Sequence, residues 1–226
     1  MTFDSPGDNL FQKMMLAIDH QRMYAIREAH PESMWNKFFN VAEFATNGAR
    51  HAERMSEHIP AGSRCLDLGT AFGYVALGLT VMGHHVVCVD QGFDLIREVA
   101  AAVPAGEWQF LRLTPDYKPD GPFNLIYAHG LIPMRNDDDW RAGPGLWTED
   151  DYITFAGNLI DALAPGGIME WIINRGDEAA PAYSRAAWDD LLNRKPITFT
   201  IEDNVITVYR LADAPAAAEA APCVAS

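Results

Sequence analysis

Short apolar stretches alternate with helix-like stretches from residue 63 to residue 194, and this alternation limits the fold more than any other feature. Five stretches indicate strands: "SRCLDLG", "HHVVCVD", "WQFLRL", "FNLIYAHG" and "GIMEWIIN". The segments between them indicate helices, except for the polar loop "TPDYKPDGP", which has hardly room for one. Near-continuous apolar strands joined by helices are typical of a parallel sheet that is covered on both faces. The sequence therefore predicts a doubly wound α/β fold.

Two further strand patterns lie near the C-terminus. "ITFTI" and "VITVYRL" are joined by "EDN", which predicts an antiparallel hairpin at one edge of the sheet. The predicted sheet is thus seven-stranded and mostly parallel, in a domain that spans residues 61–212. The low-complexity segment that follows, residues 213–226, is predicted to be a disordered tail.

The first sixty residues contain helical patterns and no strand pattern. They predict one helix over residues 8–30, a second that Pro31 opens and Gly48 follows, and a third that stops at Pro60. Residues 1–60 are therefore predicted to form an N-terminal helical cap on the sheet domain.

The net charge limits the kinds of partner that the protein could bind, and the cysteine content indicates its cellular compartment. The formal net charge is −14, from 17 basic and 31 acidic residues, and the basic residues are scattered singly. Such a surface repels phosphate backbones, which disfavours a nucleic-acid partner. Three cysteines without CxxC spacing indicate a reducing compartment, and no apolar stretch approaches membrane-spanning length. We expect a cytoplasmic protein without a membrane partner, either a monomer or a homodimer.

The segment "CLDLGTAFG" places an acid and two glycines between the first strand and the first helix of the sheet domain. In a doubly wound sheet, ligands bind at this end of the strands. Gly69 can adopt backbone angles closed to other residues, and Ala71 and Gly73 keep the next turn thin. Asp90 ends the second strand, where a carboxylate can accept both hydroxyls of a ribose.

These residues resemble the motifs of class I S-adenosylmethionine (SAM)-dependent methyltransferases. The first family motif, acid-x-Gly-x-Gly-x-Gly, is matched by Asp67, Gly69 and Gly73, with Ala71 in the middle glycine position. Asp90 matches the acid of the second motif, and "LAPGG" and the closing hairpin extend the resemblance over residues 60–212. The resemblance implies SAM as cofactor, with Asp67 acting on its ammonium group and Asp90 on its ribose. The cofactor-binding set it implies is Asp67, Gly69, Thr70, Ala71, Gly73, Asp90, Gln91, Thr114 and His129.

A dinucleotide is the competing cofactor for this fold. A pyrophosphate is attracted to the positive end of a helix dipole and tolerates an acid such as Asp67 poorly, so the sequence favours SAM. One family feature is missing: the acid that often follows strand three and binds adenine is replaced by Leu113, Thr114 and Pro115. Thr114 is the candidate acceptor in its place.

Three groups of residues are candidates for the chemistry. His129 ends strand four, and its ordinary pKa suits a general base near neutrality. Asn174 and Arg175 end strand five and could contact substrate, and the acidic and aromatic loop over residues 135–147 is a candidate lid. No metal site is expected. Aromatic rings attract a sulfonium cation, which makes Tyr24, Trp35 and Phe39 candidates for the pocket around the sulfur.

The function predicted from these features is SAM-dependent methylation of a small molecule, with a role in specialised metabolism suggested by family resemblance. One alternative is a SAM-cyclising enzyme of the same fold, which forms azetidine-2-carboxylate and methylthioadenosine from SAM alone. A second alternative is a non-catalytic SAM-binding module that acts through a partner.

Overall fold

The protein is described by a computed structural model that covers residues 6–33, 35–129, 147–172, 189–191, 194–202 and 205–212. Its centre is a seven-stranded sheet in the order β3-β2-β1-β4-β5-β7-β6. The strands are β1 (Arg64–Leu68), β2 (His85–Asp90), β3 (Glu107–Phe110), β4 (Phe123–His129), β5 (Leu163–Ile172), β6 (Ile197–Glu202) and β7 (Val205–Arg210). β7 pairs antiparallel with β5 and β6, and the other four pairings are parallel. The predicted doubly wound fold and its terminal hairpin are confirmed.

Helices cover both faces of this sheet. They are α1 (Pro6–Ala17), α2 (His20–Ala29), a 3-10 helix (Asn36–Phe39), α3 (Val41–Ser56), α4 (Tyr74–Val81), α5 (Asp94–Ala100) and α6 (Glu149–Asp161). Side chains alternate along a strand, so Cys65 and Leu66 of β1 face opposite sides of the sheet. Cys65 packs in a core that is completed by α1 to α5, whereas Leu66 packs in a second core with α6. Within the described ranges, no helix is long and apolar enough to cross a membrane.

The N-terminal helical region differs from the prediction at Asp19. The prediction of a single helix over residues 8–30 is wrong, because the helix is interrupted between Ala17, where α1 ends, and His20, where α2 begins. The Asp19 carboxylate accepts a hydrogen bond from the Arg22 backbone N–H at 2.9 Å and so caps α2. The backbone N–H of Asp19 donates to the carbonyl of Ala102, also at 2.9 Å, which ties the break to the segment after α5.

Gly48 does not end a helix, as the sequence suggested, but lies in the middle of α3. The helix predicted to begin at Pro31 is also wrong in its first part, because residues 36–39 form a separate 3-10 helix and α3 begins only at Val41; from there α3 continues through Gly48 into the third predicted helix. A Cβ atom on Gly48 would lie 2.7 Å from the carbonyl carbon of Tyr74, and one on Gly78 would lie 2.6 Å from Cβ of Ala52. These small residues therefore let α3 and α4 cross in close contact.

The carboxyl half of the sheet follows the prediction with one difference. β5 begins at Leu163 and not at Gly167, because Leu163 already pairs with Phe123 before the register shifts to pair Ile168 with Leu125. The capping pattern predicted at Thr148 is present: the Asp151 N–H donates to Thr148 Oγ1. The helix predicted over residues 180–194, the loop over residues 135–147 and the tail lie wholly or largely outside the described residues.

Candidate cofactor and substrate site

The turn after β1 holds three consecutive motif positions in the left-handed region of backbone space. The φ angles are +69° at Gly69, +50° at Ala71 and +76° at Gly73. Ala71 is the one non-glycine residue with positive φ in the described part of the chain, and it occupies the middle position of the predicted motif. The N–H of Gly69 donates to the carbonyl of Val89 at 2.8 Å, so the turn is fixed to the end of β2.

Asp67 lies at the base of this turn as a buried carboxyl group. The residue is 4% exposed, and among the described residues no hydrogen bond reaches its carboxylate oxygens. Burial, and then the charge of Asp90, raise the pKa of Asp67 to about 8. A buried acid without a partner is held in its neutral form, and a cation beside it would favour the ionised form.

Asp90 lies on the other side of the turn, and main-chain donors hold its carboxylate. One oxygen accepts the Ala71 N–H at 2.8 Å and the other accepts the Gln91 N–H at 2.7 Å. Burial raises the pKa of Asp90, while these two hydrogen bonds lower it in part. Each carboxylate oxygen has a second lone pair, so Asp90 can still accept two hydroxyl groups. The carboxylate thus fixes the turn and remains available to a ligand.

A second polar group lies across β4 and β5, next to the turn. Strand register pairs Asp67 with Tyr127 and Tyr127 with Glu170, so the three residues form one row on one face of the sheet. The pairing of β1 with β4 ends at Leu68 and Ala128, and His129 is the next and last residue of β4. His129 therefore lies at the same end of the sheet as the turn.

Helix α3 completes this polar group from above. Arg54 donates through both terminal nitrogens to the Glu170 carboxylate, at 2.5 and 2.6 Å, and Glu170 is 2% exposed. His51, one turn away on the same helix, has its ring centroid 5.4 Å from that of His129. The ring of His51 is half-buried, with its centroid 6.2 Å from that of Tyr127 on β4.

The surroundings lower the pKa of both imidazoles and so favour their neutral forms, although His129 is exposed to solvent at the end of β4. Burial lowers the pKa of His51 first, and the neighbouring His129 and Arg54 lower it further. Burial is also the main cause of the lowered pKa of His129. The hydrogen bond to Glu170 raises the pKa of Arg54, and burial raises that of Tyr127. The group therefore contains one compensated ion pair and two uncharged rings.

Aromatic rings from the N-terminal region reach the turn through Phe72. Its ring lies 4.9 Å from that of Phe39 and 5.4 Å from that of Phe38, which in turn contacts Trp35 at 5.5 Å. Two of the three predicted pocket rings, Trp35 and Phe39, thus belong to one cluster beside the turn. The third, Tyr24, is 64% exposed on α2 and makes none of these ring contacts.

The end of β3 carries the predicted adenine contact, Thr114, whose role stays a prediction. Thr114 is exposed, and its hydroxyl hydrogen bonds with the Asp116 carboxyl group, which lowers the pKa of Asp116. The rings of Trp108 and Phe110 stack with centroids 5.7 Å apart, and the Arg97 guanidinium lies 4.4 Å from the centre of Phe110. This strand end offers stacked surfaces to a ligand.

The predicted substrate contacts Asn174 and Arg175 lie outside the described residues, so their roles stay predictions. Among the residues with described positions, no group of three or more His, Cys, Asp or Glu side chains is arranged to hold a metal ion. Sequence reasoning missed His51, Arg54, Tyr127 and Glu170. The one signal available was the spacing of His51 and Arg54, three apart on a helix.

Comparison with solved structures gives the architecture a family context. The chain superposes on a TehB-like SAM-dependent methyltransferase from Corynebacterium glutamicum with a TM-score of 0.56 and 18% identity, over 81% of this chain and 99% of the other. The chain has the class I SAM-dependent methyltransferase fold. This methyltransferase fold is shared with SAM-bound CalS10, an amino pentose methyltransferase from Micromonospora echinaspora (TM-score 0.54, 12% identity, 74% and 91% covered). It is also shared with an rRNA methylase from Streptococcus thermophilus (TM-score 0.50, 10% identity, 72% and 95% covered).

No protein-family model matches the sequence, and the search of curated proteins finds no match either. The solved structures confirm the resemblance indicated by the motifs at the level of the fold. Cofactor, reaction and substrate have to be argued from the site.

Proposed function

We propose that this protein transfers the methyl group of SAM to a small molecule. The observation that carries the proposal is the left-handed turn at residues 69–73, which lies between a buried carboxyl group without a partner, Asp67, and a carboxylate held by main-chain donors, Asp90. Asp67 can be paired with a cation, and Asp90 can accept hydroxyl groups. These two properties match SAM, in which a cationic amino acid is joined to a nucleoside.

The residues fit this cofactor in two respects. The neutral, unpartnered Asp67 gains a counter-ion if the ammonium group of SAM is beside it. The free lone pairs of Asp90 match the two ribose hydroxyls. When bound, SAM supplies a sulfonium-activated methyl group.

The residues around the turn have assignable roles in the same proposal. His129, the last residue of β4, contacts the methyl acceptor. Trp35 and Phe39 shield the sulfonium side of the pocket through their contacts around Phe72. Most of what such a site contributes is orientation of the reactants and exclusion of water.

A small acceptor is supported by the charge and by one structural relative. The net charge of −14 disfavours a polyanion. CalS10, which shares the fold, acts on an amino pentose. The rRNA methylase shares the fold as well, so RNA belongs in the test as a competing acceptor.

Calorimetric titration with SAM tests the cofactor site. Asp90→Ala should weaken binding at least about tenfold, which corresponds to about 1.4 kcal/mol. Asp94→Ala is the control, because Asp94 is an exposed acid four residues further along the chain. Unchanged affinity in Asp90→Ala, or binding of NADH in preference to SAM, would contradict the assignment.

Turnover assays then separate the reactions. We expect the protein to be inert with SAM alone and to form S-adenosylhomocysteine when a suitable small acceptor is added. Methylthioadenosine from SAM alone would support the cyclisation alternative, and methylated RNA would overturn the small-molecule assignment. SAM binding without turnover across acceptors, together with a stable complex with another protein, would favour the non-catalytic alternative.

A further inference from the structure

The hydrogen bonds of His51 and His129 occupy the same nitrogen on each ring. Arg54 Nη2 lies 3.4 Å from His51 Nδ1, and the Tyr127 hydroxyl lies 3.0 Å from His129 Nδ1. A guanidinium group has donors and no acceptor, so His51 Nδ1 must accept. The proton of the neutral His51 ring is then on Nε2.

The same tautomer follows for His129 from the burial of Tyr127. Tyr127 is 1% exposed, and among the described residues its hydroxyl has His129 Nδ1 as its one hydrogen-bond partner. If His129 carried its proton on Nδ1, the Tyr127 O–H would be buried without an acceptor, which is costly. The hydroxyl therefore donates to Nδ1, and the neutral His129 ring carries its proton on Nε2.

We propose that His51 and His129 act together as uncharged Nε2–H donors that bind a carbonyl or amide oxygen of the methyl acceptor. This inference rests on the proposed function, since it names the chemistry of the molecule that would occupy the same site. The ring centroids of His51 and His129 lie 5.4 Å apart, so the two rings are direct neighbours where α3 meets β4.

The charges around the pair favour an uncharged oxygen over a carboxylate. The positive charge of Arg54 is already paired with Glu170, which is buried in the same row of the sheet as Asp67. Both rings stay neutral, because protonation would place a second donor against Arg54 or against the Tyr127 hydroxyl. A carboxylate would therefore meet two neutral donors, because the cation of this group is already paired with Glu170.

In this arrangement Tyr127 is a positioning residue that acts through His129. Nitrogen-15 NMR of the histidine side chains distinguishes the two neutral tautomers directly. Single His51→Gln and His129→Gln variants assign the signals, recorded above the pKa of both rings and without SAM. We expect the Nε2–H form for both residues in the wild-type protein. In Tyr127→Phe, His129 should become a mixture of tautomers while His51 is unchanged.

The Tyr127→Phe variant keeps the buried ring, so loss of the hydroxyl is the main change, and circular dichroism checks that the fold is intact. An Nδ1–H form of His129 in the wild-type protein would overturn the inference, as would an unaltered tautomer in Tyr127→Phe.

Acetamide and acetate have nearly the same shape and differ in charge, so they test the class of oxygen. Acetamide should shift the Nε2 signals of both histidines in the wild-type protein, and His129→Gln should abolish the effect at His51. A shift with acetate alone, or with neither probe, would overturn the proposed class. These measurements need no SAM, so they can fail while the calorimetric titration succeeds, and the reverse also holds.

Discussion

The buried carboxyl group of Asp67 makes the stability of the ligand-free protein depend on pH in an unusual direction. Its pKa is raised from the ordinary 3.8 to about 8. Between these values the unfolded chain is ionised at this residue while the folded chain retains the proton. Folding then takes up one proton, so the free energy of unfolding falls as the pH rises through this window.

Asp67→Asn removes this dependence, because an amide of nearly the same shape is neutral in both states. One proton changes the free energy of unfolding by about 1.4 kcal/mol per pH unit. From about pH 5 to about pH 7, the stability of Asp67→Asn relative to wild type should therefore increase by about 2.7 kcal/mol. The variant becomes the more stable protein at neutral pH.

Urea unfolding of both proteins without SAM, at several pH values in this range, measures the difference. Asp94→Asn is the matched control, since it makes the same substitution at an exposed residue. A difference between Asp67→Asn and wild type that does not change with pH would refute the reasoning, because Asp67 would then be ionised in the fold. If the proton is released when SAM binds, the apparent binding enthalpy of the wild-type protein should also vary with the ionisation enthalpy of the buffer.

Three further substitutions test the backbone and the packing around the site. Ala71→Gly relieves a left-handed residue and should raise stability by about 0.5–1 kcal/mol in thermal unfolding, so a lower melting temperature would contradict the strain. Gly48→Ala should cost about 1–3 kcal/mol because its Cβ meets the Tyr74 backbone. Gly157→Ala in α6 should cost nothing, because its Cβ would lie at an ordinary contact distance of 3.5 Å from Cδ1 of Leu191. Arg54→Met leaves a buried Glu170 without its partner and should lower the free energy of unfolding by about 2–3 kcal/mol, measured with urea. Adding Glu170→Gln to this variant should restore most of the loss. Equal stability of the single and double variants would contradict the ion-pair argument.

The sheet and the turn could be predicted from the sequence, because each is determined by residues that are close together in the chain. Each strand is a nearly unbroken apolar run, and the motif spacing placed Ala71 at a position that the structure holds in the left-handed region. Asp67 and Asp90 could be assigned to one edge for the same reason, since parallel strands bring their carboxyl ends together.

The polar group on α3, β4 and β5 could not be predicted in the same way. His51 meets His129 only because α3 lies close to α4, and that contact depends on Gly48, which has the local appearance of a helix end. Asp19 shows the opposite problem: its capping role breaks a helix whose apolar pattern continues through the break. Both errors arise where tertiary contacts decide between local alternatives.

The crossing of α3 over α4 also makes the specificity of the pocket adjustable from outside it. Gly48, Ala52 and Gly78 set how closely α3 approaches α4, and α3 also carries His51 and Arg54. A bulkier residue at the crossing would lift both polar side chains together without touching a bound molecule. Laboratory evolution towards other acceptors should therefore collect substitutions at this helix crossing as well as in the pocket wall.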